Sequence, residues 1–254
     1  MSAGTCTSSS VKPKCGAIRP RSWPELLPEP SVRTAEELRD VLASPDCACK
    51  GPAYYMYRDV ARSAGDRAWM KSRKIRFDIT VIPPRTLCGE YIKTKGHYHP
   101  DDPSGTGYPE IYEVLAGEAH YLIQTSDCSD IVLIAARAGD VVVVPSGYGH
   151  VTINPSKRSM LEMANIVSSA FVSDYRGYES MHGAAYYEME TGGLIKNNAY
   201  PQHTNLRIVQ ARRITEISDT LTDPLYQLIQ NRAPVLDFLN YPEKYETLFC
   251  DLYP

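Results

Sequence analysis

Between residues 53 and 170, apolar and polar side chains alternate in short runs broken by Gly, Pro and Asp. The clearest run is Ile75-Arg76-Phe77-Asp78-Ile79-Thr80-Val81-Ile82, where Ile75, Phe77, Ile79 and Val81 oppose Arg76, Asp78 and Thr80. Successive side chains of a strand point to opposite faces, so this period of two predicts a half-buried strand, ended by Pro83-Pro84. Further strands are predicted over 53–57, 90–94, 111–115, 119–124, 131–135, 141–144, 151–153 and 161–167, with turns at Gly117-Glu118 and 125–130. Many short strands with almost no helix in this stretch predict a mainly β fold, an antiparallel barrel or jelly roll with a few peripheral helices. The basic run at 71–76 reads as a solvated strand edge.

Helical signals lie outside that stretch. Thr34, with Glu37 three residues later, has the form of a capping box, and Leu38, Val41 and Leu42 supply an apolar stripe that ends before Ser44-Pro45. Near the C-terminus, 206–209 is a further strand candidate, and Asp223-Pro224 open a helix that carries Tyr226, Leu228 and Ile229. The organisation expected is a flexible or loosely docked arm over 1–30, a barrel with an N-terminal helix over 31–195, and a part-helical extension packed on the barrel over 196–254.

Composition removes some function classes. The net charge of −3 argues against a nucleic-acid binder that relies on bulk positive charge. No apolar run is long enough for a membrane span, and MSAGTCTSSSVKPKCG lacks the apolar segment of a signal peptide. The seven cysteines are odd in number and follow no framework spacing, so they read as mostly reduced thiols of a cytoplasmic protein; Cys47 and Cys49 have no second pair near in sequence to complete a zinc site. Eighteen tyrosines against four phenylalanines give most rings a hydroxyl, useful in a polar, sugar-sized pocket and equally at a core rim. The row Tyr54, Tyr55, Tyr57 reads first as barrel packing, with Tyr57 the member to test for substrate contact.

The chemistry concentrates in two clusters. In Lys93-Thr94-Lys95-Gly96-His97-Tyr98-His99, a strand would project His97 and His99 from one face, where two imidazoles can chelate one metal. Strict alternation also puts Lys93 and Lys95 on that face, and Thr94 on the other unless the strand is bulged. Glu110 opens the next strand, and the Pro145-Ser146-Gly147 turn presents His150 at the start of another. Three imidazoles and a carboxylate form a borderline donor set suited to Fe(II), Mn(II), Zn(II), Ni(II) or Co(II), with two positions of an octahedron left open for a substrate with vicinal oxygens. His120, His182 and His203 have no such company and read as surface or satisfied histidines.

The spacing Gly139, Pro145, Gly147, His150, Asn154 resembles the second motif of the cupin superfamily, and His97-Tyr98-His99, Glu110 and Gly117 resemble the core of its first. Ten residues separate His99 from Glu110, where typical cupins have three or four; this insert reads as a loop over the barrel mouth, with Asp101, Asp102, Gly105 and Gly107 as turn formers. The string Lys-Thr-Lys-Gly-His-Tyr-His, with Thr80 before it and Glu110-Ile111-Tyr112 after, is similar to the cupin-type glucose-6-phosphate isomerases of archaea and some bacteria, densely over 75–155. That resemblance implies a metal-dependent aldose–ketose isomerase of glucose 6-phosphate and fructose 6-phosphate, working as a homodimer. It implies one divalent transition metal per subunit, iron(II) first, then manganese, nickel or zinc, on His97, His99, Glu110 and His150. It matches Thr80, Thr94 and Gly96 to sugar-phosphate contacts and places Tyr112 and Tyr175 in the pocket.

For the chemistry itself, a metal-stabilised cis-enediol needs a base, for which Glu110 is the candidate, whereas a hydride shift needs none. Two other readings stay open at this point. The same donor set serves Fe or Mn oxygenases or oxidases, against which Thr80 and the Thr94-Lys95-Gly96 block favour an anionic phosphate. A non-catalytic sugar-phosphate-binding cupin is the third, against which stands the full set of four ligands.

Overall fold

The computed structural model describes residues 18–23, 25–200, 205–215, 219, 224–249 and 252–253. Strands β1 (Ser31–Thr34), β2 (Pro52–Tyr57), β3 (Ile75–Ile82), β6 (Glu110–Ala116), β9 (Val141–Val144) and β11 (Leu161–Ser168) form a six-stranded sheet in the order β1-β2-β3-β11-β6-β9. Strands β7 (Glu118–Thr125), β8 (Ile131–Arg137), β10 (Tyr148–Ile153) and β14 (Arg207–Gln210) form a second sheet, β10-β7-β8-β14, in which only β14 pairs in parallel. A small third sheet joins β4 (Thr86–Leu87), β5 (Glu90–Tyr91), β12 (Tyr186–Met189) and β13 (Gly193–Lys196). The two large sheets meet across the interior: the rings of Tyr112 on β6 and Tyr121 on β7 lie 5.2 Å apart, and the Tyr121 hydroxyl reaches Met163 Sδ on β11 at 3.7 Å. The mainly β antiparallel barrel expected from the alternating pattern is thus observed.

The orientation of β3 departs from a half-buried strand. Its polar face points into the barrel: Asp78 and Thr80 are 0% and 5% exposed. Register carries that polar face across the sheet, with Thr80 opposite Met163, Asp78 opposite Asn165 and Arg76 opposite Val167, and then Asn165 opposite Tyr112 and Val167 opposite Glu110. The apolar face looks outward and is covered by other chain segments. Phe77 packs against Trp23 and Tyr226 at ring separations of 5.5 and 5.0 Å. Both faces are therefore covered, and the polar one lines a cavity.

Three local features also differ from expectation. Helix α2 (Ala64–Ser72) interrupts the β stretch; Ser63 caps it by accepting from the Asp66 N–H, and it buries only Met70 and Asp66, too thin a stripe to show in the apolar pattern. The basic run at 71–76 is consequently no strand edge: it covers the end of α2 and the first turn into β3, and Arg76 points into the cavity. Cys47 and Cys88 form a disulfide across a sequence separation of 41, with Cys49 Sγ 4.0 Å from Cys88 Sγ, which corrects the reading of mostly reduced thiols for this pair. Folding brings together cysteines that spacing could not associate.

Helix α1 (Ala35–Leu38) has the predicted capping box, with Thr34 and Glu37 bonded reciprocally, and continues as a short 3-10 turn over Arg39–Val41. Of the arm expected over 1–30, the described part packs on the barrel: Trp23 and Leu27 are buried, and Glu162 accepts from the N–H groups of Arg21 and Ser22. Helix α3 (Leu225–Gln230) follows Pro224 and buries Leu225, Tyr226, Leu228 and Ile229, while Asp223 lies outside the described residues. Among the described residues no helix is long and apolar enough to cross a membrane.

Candidate metal centre

Four donor atoms converge at one end of the barrel. His97, His99, Glu110 and His150 each offer one ligand atom, all within 4.8 Å of one another. His97 Nε2 and His99 Nε2 are 3.2 Å apart, and Glu110 Oε2 stands 3.4 Å from both His99 Nε2 and His150 Nε2. His150 comes from β10 and Glu110 from the first position of β6. His97 and His99 come from the irregular segment after β5, tied by a bridge between His97 and His150.

That segment settles the parity of the lysine-rich string. Strand β5 stops at Tyr91, short of the predicted 90–94, and beyond it the chain does not alternate strictly. Thr94, Lys95, His97 and His99 all line the cavity. Lys93 is turned away, paired with buried Glu90 and lying over the Tyr187 ring.

The other ring nitrogens of His97 and His99 are held from behind, while His150 Nδ1 is buried with no hydrogen-bond partner among the described residues. His99 Nδ1 lies 2.9 Å from the Tyr108 carbonyl, supplied by the insert between His99 and Glu110, and His97 Nδ1 lies 3.4 Å from the Lys95 carbonyl. A carbonyl beside Nδ1 keeps the proton there and leaves the Nε2 lone pair free. Asn165 donates to Glu110 Oε1 at 2.6 Å, so the second carboxylate oxygen is the one turned to the imidazoles. Phe171 packs against His99 at 4.4 Å and stacks on Tyr108 at 4.8 Å.

Burial pushes His97 down to about 3 and His99 down to about 4, holds His150 well below the usual imidazole range, and pushes Glu110 up to about 7. Three neutral imidazoles aiming lone pairs at one point beside a buried carboxyl suit a divalent transition cation, which is the partner this donor set lacks in protein alone.

Around the donors the cavity is lined by Tyr54, Met56, Arg58, Arg76, Thr80, Thr94, Lys95, Tyr112, Met163, Asn165, Val167, Ser173 and Tyr175. Of the residues named from sequence, Thr80, Thr94, Tyr112 and Tyr175 therefore stand with the four donors. The Tyr112 hydroxyl lies 2.9 Å from His150 Nε2, and the Tyr175 ring lies 5.3 Å from that of His97. The Thr94 hydroxyl oxygen accepts from the Thr152 N–H at 2.9 Å and keeps its own proton to donate.

Two named residues do not line the cavity. Tyr57 is buried on the other face of β2, and its hydroxyl donates to the Ile18 carbonyl at 2.8 Å; alternation along β2 sends Tyr54 and Met56 inward instead. The Tyr54 hydroxyl accepts from the Lys95 N–H at 3.0 Å. Gly96 abuts the buried ring of Tyr178, and a Cβ there would fall 2.7 Å from Tyr178 Cγ and closer still to Cδ1 and Cε1.

Sequence reasoning missed Arg58, Arg76 and Asn165. The Arg76-Asp78-Thr80 face was a usable signal, because three polar residues in a strand inside the densest β pattern can line an interior. Arg58 and Asn165 carried no local signal. His120 is satisfied by Glu188 at 2.8 Å, as a histidine outside the site should be, and His203 lies outside the described residues.

An antiparallel barrel that presents three histidines and a glutamate from these two motifs is a cupin. Residues 32–205 match the family model of glucose-6-phosphate isomerase, and the chain belongs to that family. It is similar to the glucose-6-phosphate isomerase of Thermococcus litoralis, 32% identical over 94 residues, which are 37% of this chain and 47% of that protein. The corresponding enzyme of Pyrococcus furiosus is 33% identical over 126 residues, 50% of this chain and 63% of its own length. The matches thus span about half to under two thirds of those relatives. Among solved structures, a variant of Bacillus subtilis oxalate decarboxylase aligns with TM-score 0.35 at 21% identity, over 48% of this chain and 28% of that one. Hazelnut vicilin aligns with TM-score 0.36 at 13% identity, over 57% and 33%.

Proposed function

We propose that this protein is a metal-dependent aldose–ketose isomerase that interconverts glucose 6-phosphate and fructose 6-phosphate. The observation that carries the reading is the convergence of His97, His99, Glu110 and His150 within 4.8 Å in a cavity that also presents Thr80, Thr94 and Lys95. In the reading, those four hold one divalent transition metal, iron(II) first, which when bound supplies Lewis-acid stabilisation of negative charge on the sugar's C1 and C2 oxygens.

The remaining steps belong to the chain. Thr80 and Thr94 hydroxyls offer donors to the phosphate, and Lys95, whose Nζ is paired with Glu179 Oε1 at 2.5 Å, adds a further donor. Glu110 is the candidate to carry the proton between C1 and C2, because its carboxylate stands among the donors and Asn165 fixes Oε1 at 2.6 Å. Tyr112, fully desolvated and held well above the usual phenol range, stays protonated and keeps a hydroxyl donor in the cavity.

The test is a coupled assay on fructose 6-phosphate with EDTA-stripped protein and add-back of Fe, Mn, Ni and Zn. Activity lost with EDTA and restored by metal supports the reading. Metal binding without turnover refutes it. In deuterated solvent, incorporation at C2 is expected for proton transfer through Glu110, and complete absence of label points to the hydride shift.

A further inference from the structure

Two guanidinium groups stand in the cavity wall without a part in the chemistry above. Arg58 follows the last residue of β2 and Arg76 is the second residue of β3, and both line the cavity. They share one partner. Asp78 Oδ2 accepts from Arg58 Nη1 at 2.6 Å and from Arg76 Nε at 2.8 Å, while Oδ1 accepts from the Asp59 N–H at 2.9 Å. The Asp78 side chain is 0% exposed. One carboxylate neutralises one of the two cations, so the trio keeps a net positive charge at the cavity wall.

Donors are left over as well. The bond to Asp78 uses Arg76 Nε, and neither Arg76 Nη has a hydrogen-bond partner among the described residues. Arg58 Nη2 reaches only Met56 Sδ, at 3.1 Å. The side chains are 42% and 32% exposed, so these donors remain open. Two guanidiniums oriented by a buried carboxylate form a rigid fork of the kind that binds phosphate or carboxylate oxygens in pairs.

Register separates this fork from the other polar end of the cavity. Arg76 lies opposite Val167, which lies opposite Glu110, whereas Thr80 lies opposite Met163 and Met56. Tyr54 is further along β2 in the same direction as Thr80, and its hydroxyl meets the Lys95 N–H. Thr80, Tyr54 and Lys95 thus mark one end, and Arg58 and Arg76 the other.

We propose that Arg58, Asp78 and Arg76 form a second anion subsite, and that the cavity takes sugar phosphates bearing a further anionic group, such as sugar bisphosphates. One phosphate occupies the Thr80 and Lys95 end and the other the arginine fork. The proposal rests on the sugar-phosphate reading of the site, and a ligand held this way competes with the monophosphate.

Titration calorimetry on the full chain, with fructose 1,6-bisphosphate and glucose 6-phosphate as probes, tests it without turnover. Arg58→Gln and Arg76→Gln each leave one guanidinium on Asp78, so the buried carboxylate stays paired. The wild type is expected to bind the bisphosphate more tightly. Each variant should weaken the bisphosphate about tenfold or more while shifting the monophosphate by less than about threefold. Equal losses for both probes would overturn the proposal by placing the single phosphate on the fork. So would a wild type that does not prefer the bisphosphate, or binds neither. If a variant does not fold, the wild-type preference and its decline with salt decide the matter. An isomerase reading that fails shows separately, as absent turnover with the binding pattern intact.

Discussion

Gly96→Ala separates two roles for the residue between Lys95 and His97. Its backbone N–H is retained by alanine, so a phosphate contact through that group survives the change. The packing does not survive it. A Cβ at this position meets Tyr178 Cγ at 2.7 Å, well inside van der Waals contact. Tyr178 is 0% exposed and packed against Tyr98 at a ring separation of 5.1 Å, so the ring has nowhere to move. Overpacking of a full core typically costs about 1–3 kcal/mol, and a ring clash of this depth belongs at about 3 kcal/mol. For a chain of this size that lowers the melting temperature by about 6–12 °C. A double-mutant cycle with Tyr178→Leu isolates the cause: in the leucine background the alanine should cost at least about 1 kcal/mol less. An unchanged melting temperature for Gly96→Ala, or strictly additive costs, would refute the packing argument.

Four further outcomes follow from the geometry. Ligation needs Glu110 as the carboxylate, and burial pushes its carboxyl up to about 7 while His97 and His99 stay neutral. Metal added to stripped protein should therefore release close to one proton well below pH 7 and progressively fewer above it, measured by calorimetry in buffers of different ionisation enthalpy. Asn165→Ala removes the donor to Glu110 Oε1 and should weaken metal affinity about 10- to 100-fold in a competition titration, with the fold intact by circular dichroism. Reducing the Cys47–Cys88 disulfide frees a loop with a sequence separation of 41 and should cost about 4 kcal/mol in denaturant unfolding; an unchanged midpoint would count against the bridge. Tyr57→Phe loses only the bond to the Ile18 carbonyl, so it should cost about 1 kcal/mol of stability and leave KM for fructose 6-phosphate unchanged.

Much of the candidate site was legible because its ligands sit in two short motifs. His97, His99, Glu110 and His150 were all identified by residue type and spacing, and they meet within 4.8 Å. Local alternation also gave β2, β3, β5 to β11 and β14 to within a few residues but not β1, β4, β12 or β13, and the Thr34–Glu37 capping box is made as predicted. What local pattern could not supply was which face of a strand turns inward. A period of two distinguishes two faces without saying which one is the interior. Outside segments around Trp23 and Tyr226 cover the apolar face of β3, so Arg76, Asp78 and Thr80 became cavity lining.

The sequence by itself determined the strand-rich fold and the candidate ligand cluster, because backbone periodicity and residue spacing are short-range properties written in adjacent residues. Only the tertiary structure decided the rest. It placed Arg58 and Arg76 on Asp78, set Asn165 against Glu110, paired Cys47 with Cys88, and sent Tyr57 outward while Tyr54 turned in. Each of these depends on register between strands or on the packing of segments distant in the chain. Such contacts are fixed when the whole core closes, and no window of neighbouring residues contains them.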